Sequence, residues 1–449
     1  MFGELSTNEL HFKFVSGELD PIDLAHECIA RYEKFDPLYK CWVNFNKDGL
    51  IEGAIGTSSM IKNGQELRPL EGIPIGVKDI FNTVDFPTQM GSSIWKNFTP
   101  GNDARVVYYL KNQGGIVAGK TVTAEFAVHA LNETLNPHNV ALTPGTSSSG
   151  SAVAVALGIV PVAIGTQTAG SIIRPASFCG VYGCKPSFGL IPRTGTLKTT
   201  DSLDSIGFFV SNLKSIKPVF EAIRVHGPNF PFSNNALKDQ TRQKKPTNRP
   251  WRVAVVKTHT WEFAEDYAKN ALTDFFNKAA LIQDVEIDYV NLPSSLEESH
   301  DIHATIYNKT LSYYFKNEFN KRELVSGVMT GLIEKGFSIS VEQYYTALGK
   351  QELLIEQMDN FFGEYDILIS LSTAGQAPLR HEVESPDPAL IWTLCHLPVV
   401  NVPMFISPEK MPFGIQIAAR KYNDLLLLDF LDYLNHVGLI PVSSNPKFD

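Results

Sequence analysis

Residues 144–158 read PGTSSSGSAVAVALG, a run of hydroxyl side chains that leads directly into small apolar residues. A flexible Gly/Ser linker would not continue into Ala-Val-Ala-Val-Ala-Leu, which is a segment suited to burial. Gly145 and Gly150 have the spacing of a phosphate-binding loop, but Ser151 stands where the lysine of such a loop is required. The run therefore favours either a helix start whose N–H groups the hydroxyls cap, or a catalytic serine cluster.

The catalytic interpretation requires a nucleophile and a base elsewhere in the chain. Ser171 lies in TQTAGSIIRPA (166–176), where small neighbours would let backbone N–H groups approach a substrate oxygen. Lys78 lies in the apolar, strand-like segment EGIPIGVKDIFNTV (71–84). Such a lysine either extends its ammonium group to solvent or is buried with a lowered pKa, and in the second case it can act as a neutral base. A serine nucleophile needs such a base.

Five stretches of the sequence are similar to the amidase signature family, whose members hydrolyse carboxamides with a Ser-Ser-Lys triad. The stretches are GIPIGVKD (72–79), PGTSSSGSAVAVALG (144–158), TQTAGSIIRPASFCGVYGCKPSFG (166–189), DSLDSIGFF (201–209) and PFGIQIAAR (412–420). They follow the order of the family and, together with the N-terminal helices, span nearly the whole chain. The length of the central stretches makes the resemblance specific.

The resemblance implies a role for each member of the triad. Lys78 matches the base in the family's V-K-D motif, and Ser171 matches the nucleophile. Ser147 matches the bridging serine, which is held by a cis peptide bond in this family. It would pass a proton between Lys78 and Ser171, while its neighbours in the run would cap the following helix and hydrogen-bond to the loop.

The resemblance also implies residues that hold the substrate. The oxyanion hole is expected to consist of the backbone N–H groups of Thr168, Ala169, Gly170 and Ser171. The side chains and loop positions expected to bind the substrate are Met90, Gly91, Gln167 and Arg174. In one branch of the family, an arginine three residues after the nucleophile holds a substrate carboxylate. Arg174 is therefore predicted either to bind such a carboxylate or to brace the loop through a carboxylate of the protein.

The sequence departs from the usual family pattern at three positions near these motifs. Thr146 and Ser149 replace glycines of the serine run. Gln167 stands where many members have Asp, and TQTAGSIIRP (166–175) resembles a branch other than the usual amidotransferase of the A type. The departure at Gln167 argues against a transamidation partner that acts on tRNA-linked Glu or Asp.

The composition is that of a globular protein and argues against several functional classes. The chain has 449 residues, is 43% hydrophobic and carries a net charge of −9, which argues against a nucleic-acid or anionic-membrane partner. The five cysteines have neither the density of a disulfide framework nor zinc-ligand spacing, which is typical of the reducing cytoplasm. The N-terminus lacks a signal-peptide pattern, and the longest apolar stretch, 151–165, is too short to cross a bilayer.

Alternating strand and helix patterns predict the α/β class, with one large domain over 1–449. Its central mixed, twisted sheet would be covered by helices on both faces. N-terminal helices are expected at about 5–45 and the signature core at about 70–215. A polar, Pro-bounded segment at 227–250 predicts an exposed connection, and an aromatic-rich helical segment at about 294–362 predicts a lid that determines specificity.

The predicted function is hydrolysis of a small or medium carboxamide to a carboxylic acid plus ammonia or an amine, through an acyl-enzyme. No metal and no cofactor are expected, because no metal-ligand spacing is present. The expected partner is the small-molecule substrate, and the sequence leaves a homodimer open. Two alternatives remain: an amidotransferase A-type subunit that releases ammonia and needs a partner protein, and a catalytically silent binding protein on the same scaffold.

Overall fold

One mixed sheet of eleven strands forms the centre of the structure, a computed structural model that describes residues 4–444. The strands are β1 (Trp42–Phe45), β2 (Pro74–Lys78), β3 (Ile116–Thr121), β4 (Val162–Gln167), β5 (Tyr182–Lys185), β6 (Ser205–Val210), β7 (Trp251–Lys257), β8 (Val285–Asn291), β9 (Ile367–Leu371), β10 (Val399–Ile406) and β11 (Pro412–Ala419). Their order across the sheet is β1-β3-β2-β4-β6-β5-β10-β11-β9-β7-β8. Neighbours are parallel in β2–β3, β2–β4, β7–β8 and β7–β9 and antiparallel elsewhere, which confirms the mixed sheet.

The central strands are buried on both faces of the sheet. Every residue of β2, β4, β6 and β11 is buried. In β7, Val253 and Val255 belong to one apolar core, whereas Ala254 and Val256 belong to a second. Because successive side chains of a strand point to opposite faces, the two cores lie on opposite sides of the sheet. The prediction of a sheet covered on both faces is therefore confirmed.

Helices supply these covering layers. They are α1 (Thr7–Ser16), α2 (Pro21–Tyr39), α3 (Lys47–Lys62), α4 (Arg105–Asn112), α5 (Ser149–Ala156), α6 (Ile173–Cys179), α7 (Ile216–Ile223), α8 (Pro231–Lys238), α9 (Gln240–Gln243), α10 (Asp266–Ala279), α11 (Ser299–Tyr314), α12 (Lys316–Phe319), α13 (Gly327–Ser338), α14 (Val341–Phe361), α15 (Leu390–Leu394) and α16 (Asp424–His436). At the start of α1, the Ser6 hydroxyl accepts the N–H of Glu9, and the Glu9 carboxylate accepts the N–H of Ser6. At the start of α2, the carboxylate of Asp20 accepts the N–H of Ile22.

The segment predicted as a lid is helical, and α11, α13 and α14 form most of it. Ile306 of α11 and Met358 of α14 are buried in the second apolar core together with Trp392 of α15. These parts of α11 and α14 therefore pack on the face of the sheet that carries Ala254 and Val256, whereas Met329 and Ile333 of α13 belong to the first core. The predicted connection at 227–250 contains the short helices α8 and α9.

Strand order places the candidate residues at one edge of the sheet. β2 and β4 are parallel neighbours, with Val77 paired to Ile164, so their carboxyl ends lie side by side. β2 ends at Lys78, and the segment with Ser171 follows the end of β4. Ligand sites of open α/β sheets form at such carboxyl ends.

The structure also shows the state of the cysteines and whether any helix could span a membrane. The five cysteines, all of them within residues 4–444, are buried and unpaired. Between residues 4 and 444, no helix has the length and apolar character needed to cross a bilayer.

Candidate active site

Lys78 is fully buried at the end of β2, and its amino group is surrounded by hydroxyls. Nζ lies 2.8 Å from Ser147 Oγ, 3.0 Å from Ser148 Oγ and 2.9 Å from Thr166 Oγ1. The structure therefore brings Lys78 and Ser147 into direct contact. The peptide bond between Thr146 and Ser147 is cis. Ser148 and Thr166 are two members of this cluster that the sequence motifs did not single out.

The environment of Lys78 favours the neutral amine. Burial lowers the pKa of Lys78 well below its ordinary value of 10.5, because desolvation disfavours the ammonium form. The Asp204 carboxylate acts in the opposite direction on the same pKa, with a smaller effect. Asp204 is itself held by the loops around it, since its carboxylate accepts Thr168 Oγ1 at 2.9 Å and the N–H of Thr199 at 2.8 Å. Lys78 thus has the electrostatic surroundings that a general base requires.

Two other hydroxyls of the serine run, those of Ser148 and Ser151, bind the sheet and do not cap α5. Ser148 occupies the N-cap position, but its side chain makes no capping hydrogen bond. Its Oγ donates to the carbonyl of Thr166 at 3.1 Å, and Ser151 Oγ donates to the carbonyl of Ile164 at 3.0 Å. The prediction of hydroxyl capping is wrong at this position, because α5 packs directly on β4 and turns these side chains toward the strand.

Ser171 lies in the tight loop between β4 and α6. The residue is 8% exposed, and no residue between 4 and 444 forms a hydrogen bond with its hydroxyl. The structure therefore does not join Ser171 to Ser147 through a hydrogen bond. Within the described chain, the backbone N–H groups of residues 168–171 also make no hydrogen bond. The loop has one unbonded hydroxyl, that of Ser171, and four unused backbone N–H groups near the end of β4, which pairs with the strand that carries Lys78.

The buried side chain of Gln167 stabilises this loop through hydrogen bonds. Its Oε1 accepts the N–H groups of Ile172 and Ile173 at 2.8 and 3.0 Å, and its Nε2 donates to Thr393 Oγ1 at 3.0 Å. Thr393 in turn donates to the carbonyl of Ala169 at 2.6 Å. Gln167 is fully buried, so its amide bonds within the protein and not toward the cavity. A glutamine at this position can do so because it carries both a donor and an acceptor.

Arg174 is paired with two carboxylates of the protein. Its Nη1 lies 3.0 Å from Oδ2 of Asp387, and its Nε lies 3.0 Å from Oε2 of Glu384. Nη2 donates to the carbonyl of Thr146 at 2.9 Å. The same Asp387 oxygen packs against Gly170, where a Cβ would lie only 1.8 Å from it. Of the two predicted roles of Arg174, this geometry matches the brace that ties the loop to the C-terminal part of the chain.

Met90 and Gly91 form a bend beside the site. Met90 donates its N–H to the carbonyl of Asp79 at 2.9 Å, and the Asp79 carboxylate pairs with the buried amino group of Lys120 at 3.1 Å. Gly91 has a φ of 65°, and a Cβ there would lie 2.9 Å from the carbonyl oxygen of Thr123. Lys120 was not predicted, because nothing in the sequence places it beside the residue that follows Lys78.

A cavity of about 220 Å³ adjoins the lysine cluster. Its wall includes Thr166, Thr168, Asp204, Ile80, Leu197 and Ile206. Thr166 bonds to Lys78 and Thr168 begins the segment of unused N–H groups, so the cavity borders both, although Lys78, Ser147 and Ser171 themselves are not part of its wall. Met90, Gly91, Gln167 and Arg174 are not part of its wall. The volume is below the usual range for drug-sized ligands and suits a small substrate group.

The segment predicted as a lid contacts the 168–171 loop through a buried histidine. Nε2 of His303, on α11, lies 2.8 Å from the carbonyl oxygen of Thr168. Tyr307 follows one helical turn later, with ring centroids 5.6 Å apart. No sequence motif pointed to His303, since a lone histidine without spacing partners is usually an ordinary polar residue. Across residues 4–444, no group of three or more His, Cys, Asp and Glu side chains could hold a metal ion.

Solved structures of amidases share this fold. A native peptide amidase from Stenotrophomonas maltophilia has a TM-score of 0.83 at 22% identity, over 100% of this chain and 99% of that one. A second solved structure is described as an unexpected vestigial protein complex that reveals the evolutionary origins of an s-triazine catabolic enzyme. Its chain has a TM-score of 0.86 at 25% identity, over 98% of this chain and 100% of that one. Fold and site together define the class: an α/β enzyme that hydrolyses amides.

Sequence comparison gives the family. The family model for Amidase matches residues 23–428, and the chain belongs to the amidase family. The A subunit of glutamyl-tRNA(Gln) amidotransferase from Synechococcus elongatus is 30% identical over 92% of this chain and 93% of that protein. The protein of the same name from Gloeothece citriformis is 28% identical over 94% and 95%.

Proposed function

We propose that this chain hydrolyses a small carboxamide with a triad of Lys78, Ser147 and Ser171. The observation that carries the proposal is the buried amino group of Lys78 with three hydroxyls within 3.0 Å, one of them on Ser147. A buried lysine without a carboxylate in contact is costly unless it is neutral, and a neutral amine is the base that a serine nucleophile needs. The unused donors of residues 168–171 support the same interpretation.

The hydrogen bonds around Lys78 support the proposed proton path. The Ser148 hydroxyl donates to the carbonyl of Thr166, so it can only accept from Nζ. A neutral amine has two protons and one lone pair, so one of the three hydroxyls must donate to it. Ser147 Oγ and Thr166 Oγ1 have no other partner in the described chain, so either could fill that place, and the match of Ser147 to the family's bridging serine favours Ser147. Lys78 then accepts the Ser147 proton as Ser147 takes the proton of Ser171.

The chemical steps follow from this path. Ser171 Oγ attacks the amide carbon, and the N–H groups of the 168–171 loop stabilise the oxyanion, each direct donor contributing roughly 10²–10³ in rate. Collapse of the intermediate breaks the C–N bond, and the proton held by Lys78 returns through Ser147 to the leaving amine. Water, deprotonated by the same relay, then hydrolyses the ester to the acid and regenerates Ser171.

The surroundings of Arg174 narrow the substrate class. Since Asp387 and Glu384 already pair with its guanidinium, a substrate carboxylate would have to displace a protein carboxylate. The cavity wall combines aliphatic side chains and hydroxyls with the carboxylate of Asp204 and the cationic side chains of Arg193 and Lys198. Because Arg174 is already paired and the cavity holds only about 220 Å³, we favour an amide whose acyl group is small and does not depend on a carboxylate.

A second candidate is the ammonia-releasing component of an amidotransferase. It is favoured by the curated relatives, which are A subunits of glutamyl-tRNA(Gln) amidotransferase and match along more than nine-tenths of this chain. Gln167 in place of the more usual Asp argues against it. The amidotransferase candidate requires a partner protein, whereas the amidase candidate does not. Purification of the tagged chain from its own cells therefore distinguishes the two candidate functions. A second protein that copurifies in stoichiometric amount would favour the amidotransferase.

The direct test of the proposed function is a substrate panel. Primary aliphatic amides, anilides, amide-acids and glutamine are incubated with the purified chain, and released ammonia or amine is measured. Turnover of neutral amides that is lost in the Ser171→Ala variant would support the proposal. Turnover of glutamine alone would support the amidotransferase, and binding without turnover of any amide would contradict both.

Arg174→Ala is expected to lower turnover of an amide-acid and of its neutral analogue by the same factor, about tenfold or more, because the variant loses the brace between the loop and Asp387. The measurement is kcat/KM for both substrates in the wild type and the variant. The matched control is Arg252→Ala, on a partly buried arginine in β7. A rise in KM confined to the amide-acid would show instead that Arg174 binds a substrate carboxylate.

A further inference from the structure

Two side chains from distant parts of the sequence hold successive carbonyls of the 168–171 loop. His303 Nε2 lies 2.8 Å from the carbonyl oxygen of Thr168, and Thr393 Oγ1 donates to the carbonyl of Ala169 at 2.6 Å. His303 belongs to α11 of the lid and Thr393 to α15. Both residues are buried, so water does not compete for these bonds.

A fixed carbonyl also fixes the N–H that follows it. The peptide unit is planar and trans, so the C=O of one residue and the N–H of the next point in opposite directions within a common plane. The bond from His303 therefore sets the direction of the Ala169 N–H, and the bond from Thr393 sets that of the Gly170 N–H. Those two N–H groups make no hydrogen bond within residues 4–444.

We propose that His303 and Thr393 are positioning residues that aim the N–H groups of Ala169 and Gly170 at the oxyanion. The inference rests on the proposed function, because it assigns those N–H groups to the oxyanion hole. Preorganised donors stabilise a transition state only when their direction is set before the reaction, and neither N–H has a side-chain restraint of its own. Each carbonyl bond provides that restraint from the opposite side of the peptide unit.

The protonation state of His303 is suited to this task. Burial lowers the pKa of His303 to about 4, although the bond to the Thr168 carbonyl acts to raise it. The ring is therefore neutral near pH 7, and the bond to a carbonyl requires the proton to be on Nε2. The neutral ring can therefore donate its Nε2 proton to the carbonyl of Thr168.

The position of His303 couples the lid to the oxyanion hole. α11 packs against α13, α14 and α15, so the helix that carries His303 lies between the body of the lid and the helix that carries Thr393. Tyr307, one turn along α11, faces the same side as His303 and is close enough to Arg174 and Asp204 for their charges to act on its pKa. A displacement of α11 would remove the hydrogen bond from His303 to the Thr168 carbonyl, and the Ala169 N–H would then no longer be held in one direction.

The test uses paired variants that remove or retain the donor. His303→Leu and Thr393→Val remove it, whereas His303→Gln and Thr393→Ser keep an N–H or O–H in nearly the same place. Each variant is assayed for kcat and KM on the best amide of the panel and for the second-order rate of inactivation by diisopropyl fluorophosphate. Inactivation depends on the same oxyanion hole but does not require binding of an amide substrate. The thermal unfolding midpoint of each variant shows whether the fold is retained.

We expect His303→Leu and Thr393→Val to lower kcat and the inactivation rate by the same factor, about tenfold to a hundredfold, with KM changed less than about twofold. The donor-retaining variants should recover most of the loss. Wild-type kcat in both donor-removing variants, or a loss that Gln and Ser do not recover, would overturn the inference. The Ser171→Ala variant tests the proposed function separately. If this variant keeps turnover, the proposed function is wrong, irrespective of the results for the His303 variants.

Discussion

Ser171→Ala is expected to lower amide turnover by about 10⁴-fold or more, because the variant lacks the atom that attacks the amide carbon. The fold should be unchanged. No residue between 4 and 444 hydrogen-bonds to the Ser171 hydroxyl, so its removal leaves no buried partner unsatisfied. The measurement is kcat on the best substrate of the panel, together with the thermal unfolding midpoint of both proteins.

The matched control for Ser171→Ala is Ser202→Ala. Ser202 also has a buried hydroxyl without a hydrogen-bond partner in the described chain, but it lies outside the loop between β4 and α6 that carries Ser171. Its variant should keep wild-type turnover. If Ser171→Ala kept more than about a tenth of wild-type kcat while remaining folded, Ser171 would not be the nucleophile.

Lys78→Met should lower kcat by about 10³-fold, since the relay through Ser147 then ends in a thioether that cannot accept its proton. In the wild type, turnover should rise with pH through the pKa of Lys78 and then level off. That pKa is lowered by burial, so the rising limb lies well below 10.5. In Lys78→Met the residual turnover should lack this limb.

The same pKa makes a prediction about the pH dependence of stability. The unfolded chain holds a proton on Lys78 up to about pH 10.5, whereas the folded chain has lost it at lower pH. Stability of the wild type therefore rises with pH between the folded and unfolded pKa values, and it is lowest below the folded one. Lys78→Met does not bear this cost, so near neutral pH its unfolding midpoint should not fall below that of the wild type.

Lys78→Arg serves as the control for charge. An arginine keeps a cation at the end of β2 but does not lose its proton at any pH used for an assay. If the lysine acts as a base, this variant is as inactive as Lys78→Met. Activity retained in Lys78→Arg, or a rising limb that persists in Lys78→Met, would show that the group that titrates is not Lys78.

Much of the site was predictable because its chemistry is local. The V-K-D segment, the serine run and the TQTAGS loop each match the family in a few adjacent residues, and parallel pairing of β2 with β4 places Lys78 beside the end of β4. The mixed α/β sheet followed from alternating strand and helix patterns. The family resemblance implied that Lys78 and Ser147 act together, and in the structure Lys78 Nζ lies 2.8 Å from Ser147 Oγ.

The contacts that fix the geometry of the 168–171 loop were not predictable, because the contacting residues are far apart in the sequence. Arg174 pairs with Asp387, and Gln167 bonds to Thr393, across more than two hundred residues. Sequence reasoning could name Arg174 as a carboxylate binder but not decide whose carboxylate it binds. The wrong prediction of helix capping by Ser148 has a similar cause, since the competing partners are Lys78 and a carbonyl of β4.

The most direct test of the central claim is to trap the nucleophile and identify it. The wild-type protein is treated with a phosphonofluoridate and digested, and the labelled peptide is sequenced by mass spectrometry, with Ser171→Ala and Lys78→Met treated in parallel. One label on Ser171, absent from Ser171→Ala and formed about 10³-fold more slowly in Lys78→Met, is the predicted result. A label on any other serine, or labelling of Ser171 at the same rate without Lys78, would contradict the proposed triad.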